Sequence, residues 1–226
     1  MGLKALPVKT AWSHACRAGV VPHHLLAGDL IEEVFSHLPC NKNTILAIVS
    51  PDHYLQTRPQ ELVLTSHDGV ALLGDWALEN GVTLASSSAR LSIEHGVTVF
   101  APFVKKYCPH SQVIPLVINY RSRQANLLSL GKQLAQTPDT FLLISSDFSH
   151  YGDLATTREN DRQSMQALLN RQGITYQQIN NDCPNCWWVL QGFLPQAKFN
   201  LLSQSNSYYY SLVKENITSY FTGCFQ

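Results

Sequence analysis

Three histidines occupy matching places in this chain. His23 follows an apolar run in Gly19-Val20-Val21-Pro22-His23, His53 lies just past another in Val49-Ser50-Pro51-Asp52-His53, and His150 lies just past a third in Ser145-Ser146-Asp147-Phe148-Ser149-His150. Imidazole binds zinc, copper and iron and exchanges a proton near neutral pH, so rings that converge could hold a metal or run acid–base chemistry. Singly, a histidine after a strand is an ordinary loop or capping residue. Three at one topological position differ, because the carboxyl ends of parallel strands form the edge where an open α/β sheet binds its ligands. Asp147 precedes His150 by one turn and can reach back to fix the tautomer of that ring. His14, His37, His67 and His110 lie on polar faces or in turns and read as solvated.

A second signal is Asn181-Asp182-Cys183-Pro184-Asn185-Cys186-Trp187-Trp188. Asp182 is a good helix N-cap and Pro184 suits a first turn, which puts Cys183 at a helix start where the backbone favours thiolate. Thiolate is the form that binds metal. C-x-x-C serves zinc sites and redox pairs alike, but a four-thiolate site needs a second pair that the chain lacks. A thioredoxin-like motif also belongs after an early strand, not near the end of the chain. Cys183 stays open between metal ligand, redox partner of Cys186 and buried structural cysteine. Two histidines and one thiolate would leave open positions on an ion. G-x-G-x-x-G, the phosphate-binding P-loop, G-x-S-x-G and H-E-x-x-H are all absent, so nucleotide, serine hydrolase and zincin chemistry get no support.

These residues need a frame to bring them together. The chain has 226 residues, enough for a single domain over 1–226 that buries roughly 70 to 75 % of its unfolded surface. With 16 basic and 16 acidic residues and no block of either sign, a nucleic-acid surface has no footprint. Forty-five per cent hydrophobic residues exclude disorder, and the longest apolar runs are too short to cross a bilayer, so no membrane role is expected. The N-terminus shows no signal peptide pattern. Cysteines at 16, 40, 108, 183, 186 and 224 are too scattered to resemble a disulfide framework, which points to free thiols in the cytoplasm and makes the Asn216-Ile217-Thr218 sequon an accident.

Residues 26 to 38 put Leu26, Leu30, Ile31, Val34, Phe35 and Leu38 on one helical face with Asp29, Glu32, Glu33 and His37 opposite. This helix lies between the unalternating runs 18–21 and 44–49, of the kind expected for strands buried on both faces, and the three make a βαβ unit. The theme recurs with a strand at 113–118, a helix at 122–136 and a strand at 141–145. Helices at about 157–171 and 184–195 and strand-like runs at 199–205 and 217–225 complete the prediction. The fold class is α/β with a central, mostly parallel or mixed sheet flanked by helices.

At this point the residues resemble the Memo family, also known as the B component of the AmmeMemoRadiSam system. The resemblance is carried by Pro22-His23, Ser50-Pro51-Asp52-His53, Ile93-Glu94-His95, Ala101-Pro102-Phe103, the strand Val113-Ile114-Pro115-Leu116-Val117, and above all Ser145-Ser146-Asp147-Phe148-Ser149-His150-Tyr151-Gly152. Asp182-Cys183-Pro184-Asn185 and Ser219-Tyr220 continue it in the same order. It implies a fold like that of the class III extradiol ring-cleaving dioxygenases and a non-haem metal site. The metal ligands would be His23, His53 and Cys183, with His150 and Asp147 as neighbouring catalytic residues. The implied cofactor is one divalent metal ion, Fe(II) first and Cu or Zn as alternatives, and the implied partners are an Ammecr-type protein and a radical SAM enzyme. The chain departs from the family pattern at His24, Leu25 and Leu26, where Ala, Gly and Tyr are usual, and at Thr98 and Phe100, where a second Glu and His are common. It also looks shortened, with trimmed loops between 50 and 90.

Overall fold

The computed structural model describes residues 12, 15–169 and 178–226. Its centre is a run of four parallel strands: β1 (Ala18–Val21), β2 (Ile45–Pro51), β5 (Gln112–Ile118) and β6 (Thr140–Ser145). They lie in the order β5-β2-β6-β1, so Val21, Pro51, Ile118 and Ser145 all end at one edge. Beyond β5 come β3 (Glu61–Thr65), antiparallel to it, and β4 (Thr83–Ser86). On the other side β9 (Ile217–Phe225) runs antiparallel to β1 and carries β7 (Phe148–Gly152) and β8 (Phe199–Asn206). The sheet is therefore mixed, as the sequence allowed.

Both faces of the parallel strands are apolar, which explains why their sequences do not alternate. Ala47, Val49, Ile114, Leu116, Leu142 and Ile144 share a cluster with Leu127, Leu130 and Leu134 of α6 (Gln124–Gln136) and Trp187, Leu190 and Phe193 of α8 (Cys186–Phe193). Leu46, Ile48 and Leu143 face the other way, onto Ile31, Val34 and Phe35 of α1 (Gly28–His37). The remaining helices are α2 (His67–Glu79), α3 (Ser88–Leu91), α4 (His95–Thr98), α5 (Ala101–Tyr107), α7 (Leu154–Leu169) and α9 (Ser207–Ser211). α6 and α8 touch backbone to backbone: a Cβ on Gly131 would meet the Val189 carbonyl at 2.1 Å, and one on Gly192 the Leu128 carbonyl at 2.1 Å. Only glycine allows that approach.

The 50 to 90 region holds β3 and α2: Leu62, Val63 and Leu64 are buried in β3, and Ser66 caps α2 by accepting from the Gly69 N–H at 3.1 Å. Three expectations need correction. His150 does not trail the strand ending at Ser145; it lies within β7, a short strand begun by Phe148. Asp182 does not cap the late helix, whose N-cap is Asn185. The cysteines are not free thiols but form three disulfides, Cys16 with Cys224, Cys40 with Cys108 and Cys183 with Cys186. Linear scatter hid the first of these, because the pairing of Ala18 with Phe225 puts the two ends of the chain on neighbouring strands. His14 and the end of the helix expected at 157–171 lie outside the described residues. Among the described residues no helix is long and apolar enough to cross a membrane.

Candidate metal centre

The ends of β1 and β2 bring His23 and His53 together at the carboxyl edge, with ring centroids 4.7 Å apart. A third ring joins them. His95, at the start of α4, lies 5.0 Å from His23 and 4.0 Å from His53. Each of the three offers one nitrogen within 4.8 Å of the others, and His23 also shares such a group with Asp147 and Asp182.

His23 is buried, and both of its ring nitrogens are engaged. The Ser145 hydroxyl donates its only proton to the Gly96 carbonyl at 2.6 Å, so it accepts from His23 Nδ1 at 2.9 Å. Nε2 then points to Asp182 Oδ2 at 2.9 Å, with Asp147 Oδ2 at 3.8 Å. Asp147 Oδ1 accepts the His23 backbone N–H at 3.1 Å.

His53 is held differently. Its Nδ1 donates to Glu94 Oε1 at 2.6 Å and its backbone N–H donates to Glu94 Oε2 at 3.0 Å. Glu94 is fully buried and also accepts the Gly96 N–H at 3.0 Å. Position 96 must be glycine here, because a Cβ would lie 2.1 Å from Ser50 Oγ and 3.1 Å from His53 Cε1. Asp52 shapes the same loop by accepting the backbone N–H groups of Gln56 and Thr57 at 2.7 and 2.9 Å. The far nitrogen, His53 Nε2, is buried without a hydrogen-bond partner, as is His95 Nδ1.

Electrostatics follow this wiring. Burial opposes charge on His23, but Asp182 and Asp147 outweigh it and raise its pKa. His53 likewise overcomes burial through Asp182 and Glu94 and is pushed up to about 9. His95 goes the other way: burial and the neighbouring His53 and His23 lower it to about 4. Of the two facing carboxyls, Asp182 resists burial through His23 and stays low, while burial and the Asp182 charge raise Asp147.

His150 stands at the rim, its Nε2 3.8 Å from Asp182 Oδ2. The carboxylate nearest to it is thus Asp182, whereas Asp147 is turned to His23. Asp182 is itself placed by Ser146 Oγ and the Asp147 N–H, which donate to its Oδ1 at 2.9 and 3.2 Å. Cys183 follows it directly, but its sulfur is bonded to Cys186 and is not a thiolate in this structure. Sequence reasoning assigned no role in the site to Glu94 or His95 and read Asp182 as a cap. For Glu94 and His95 the usable signal was the segment Ile93-Glu94-His95. Asp182 had none beyond its place beside the cysteines.

The donor set fits a metal ion. Two buried imidazole nitrogens without hydrogen-bond partners face a third ring and a carboxylate.

Residues 6–185 match the family model described as Memo-like protein. A MEMO1 family protein of Pyrobaculum arsenaticum is 26 % identical over 185 residues, covering 75 % of this chain and 65 % of that protein. One from Pyrobaculum aerophilum is also 26 % identical, over 186 residues with the same coverage. The chain thus matches a little under two thirds of these relatives' length. Among solved structures, an uncharacterized protein from Escherichia coli K12 superposes with a TM-score of 0.56 at 12 % identity, over 91 % of this chain and 98 % of that one. That likeness is one of fold.

Proposed function

The chain belongs to the Memo-like protein family, and from that premise we propose that it is a non-haem metal-binding protein acting as a metal-dependent oxygenase or redox protein. The observation that carries this reading is the pair of buried, unpartnered nitrogens, His53 Nε2 and His95 Nδ1, beside His23. His23, His53 and His95 would hold one Fe(II), Cu or Zn ion, which when bound supplies a Lewis acid at the sheet edge.

The chain's own residues do the rest. Glu94 fixes His53 in the tautomer that leaves Nε2 free, the role carboxylates commonly play behind metal-binding histidines. Ser145, a neutral group, holds His23 from behind at Nδ1, while Nε2 of that ring faces Asp182. Asp182 balances the positive charge of the cluster and faces His150, which is placed to take or give a proton at the rim. Exposed Leu25 and Tyr54 follow the two histidine loops and exposed Tyr151 follows His150, so an organic substrate would meet an apolar and aromatic approach. Work alongside an Ammecr-type protein and a radical SAM enzyme belongs to the same proposal, with co-purification as its check.

Metal analysis after anaerobic purification tests the reading. Near-stoichiometric Fe, Cu or Zn in the parent and its loss in His95→Ala support it; equal metal in both overturns it. A second reading, a thiol redox protein, is favoured by the Cys183 to Cys186 disulfide. Both residues are buried, however, which hinders the attack of an external thiol. A measurable midpoint for this pair in the folded protein, with no metal bound, would select it.

A further inference from the structure

The same edge of the sheet carries a second concavity. β3 runs antiparallel to β5, so its start lies beside the end of β5. There the first residues of β3 and β4 and the segment leaving β5 line an open cleft of about 250 Å³. Glu61, Asn119, Arg121, Ser122, Arg123 and Asn126 are among its lining residues, and it shares none with the histidine cluster.

A count of its polar groups shows which are free. Glu61 is the only carboxylate on the wall, and both of its oxygens are taken: Arg90 pairs with Oε2 at 2.8 Å and Oε1 at 3.3 Å, and the Arg58 N–H donates to Oε2 at 2.8 Å. The Asn119 amide donates to the Arg58 and Glu61 carbonyls and its oxygen accepts the Arg121 N–H. Ser122 donates to the Leu62 carbonyl. Gln60, Thr83 and Asn126 add neutral polar side chains to the wall, and Arg121 and Arg123 are its two cations. Among the described residues neither has a carboxylate within ion-pair distance, and Arg121 lies only over the ring of Tyr120 at 5.1 Å. In a chain whose net charge is zero, this wall carries two uncompensated positive charges.

We propose that the cleft binds a small molecule bearing a carboxylate or phosphate group, with the oxyanion held between Arg121 and Arg123. The guanidinium fork matches both anions in geometry and charge. At about 250 Å³ the cleft has room for a compact ligand. Asn185 donates to the carbonyls of Asn119 and Tyr120 at 3.3 and 3.1 Å. That ties the cleft wall to the turn that carries Asp182. The site stands whether or not the histidines bind metal.

Calorimetric titration of the metal-free protein with inorganic phosphate, glycerol 2-phosphate and citrate tests it, against chloride at matched ionic strength. One-to-one saturable binding of at least one probe is expected. It should weaken at least about tenfold in the Arg121→Gln, Arg123→Gln double variant and be unchanged in His53→Ala. The tighter of ester and citrate identifies the anion. Should the double variant fail to fold, Asn126→Asp, which adds a negative charge to the wall, should weaken binding in its place. The proposal is overturned by no binding beyond chloride, by full binding in the folded double variant or in Asn126→Asp, or by loss of binding in His53→Ala, which would move the anion to the histidine cluster.

Discussion

His23 and His53 follow β1 and β2, the two strands that flank β6, and face the same space, yet they are wired in opposite ways. Behind His23 stands a neutral hydroxyl, and its inward nitrogen is already bonded to the Asp182 carboxylate. Behind His53 stands a buried carboxylate, and its inward nitrogen makes no hydrogen bond, with Asp182 Oδ2 3.6 Å away. A metal arriving at His53 breaks no hydrogen bond at Nε2 but must displace the proton that the raised pKa keeps on the ring. At His95, whose pKa is lowered, it meets a neutral ring with Glu94 Oε1 3.7 Å from Nδ1. At His23 it must displace or share Asp182. The three rings thus differ in readiness, and the difference lies in what holds each ring from behind.

The largest effect should come from removing a ring. His53→Ala should weaken metal binding by more than about 100-fold, beyond the range seen for supporting residues, and His23→Ala should be milder because Asp182 and Asp147 remain as oxygen donors at that place. Equal losses in a competition titration with a chelator would break the contrast. Next come the supports: Glu94→Gln should cost about 10- to 100-fold in metal affinity, whereas Ser145→Ala, which removes a neutral partner, should cost less. The reverse order would show that the charge behind His53 is not what sets its readiness.

The contrast with His95 can be sharpened by pH. In the metal-free protein His53 has a folded pKa of about 9 against an ordinary 6.5. It binds more protons folded than unfolded between those values, so its contribution to stability is full below 6.5 and is lost as pH rises through about 9. His95, lowered to about 4, contributes stability that is full above 6.5 and is lost as pH falls through about 4. The melting temperature of the metal-free protein should therefore fall on both sides of about pH 6.5, and Glu94→Gln should flatten the alkaline limb. An alkaline limb that survives this change would assign it to another group. The smallest effect on metal content belongs to His150→Ala. Metal affinity should stay near the parent's, while any oxygen- or substrate-dependent turnover falls by about 10² to 10⁴. Loss of metal instead would make His150 a ligand.

The parallel strands and α1 were legible because each buries a continuous apolar face that its own sequence spells out, from Ala18 to Val21 or Leu30 to Phe35. β7 was not, since Ser149 and His150 carry no apolar alternation and the strand exists through its pairing with β9 and a bridge from Phe148 to Asn181. The positions of His23 and His53 followed from the strand ends. The remaining geometry depends on long-range contacts that a linear reading cannot order. Glu94 reaches His53 across 41 positions and Asp182 meets the Asp147 N–H across 35. A carboxylate beside a C-x-x-C motif looks the same on paper whether it caps a helix or faces an imidazole.

The bond between Cys16 and Cys224 joins residues 208 apart in sequence but adjacent across β1 and β9. Mechanically it turns nearly the whole domain into a closed ring. A pull applied at the two ends would pass through that one covalent bond and bypass everything between. In a single-molecule stretching experiment that grips the chain outside residues 16 and 224, the oxidised protein should release none of the residues between them. After reduction the sheet itself should bear the load and pay out hundreds of ångströms, at about 3.3 to 3.6 Å per released residue.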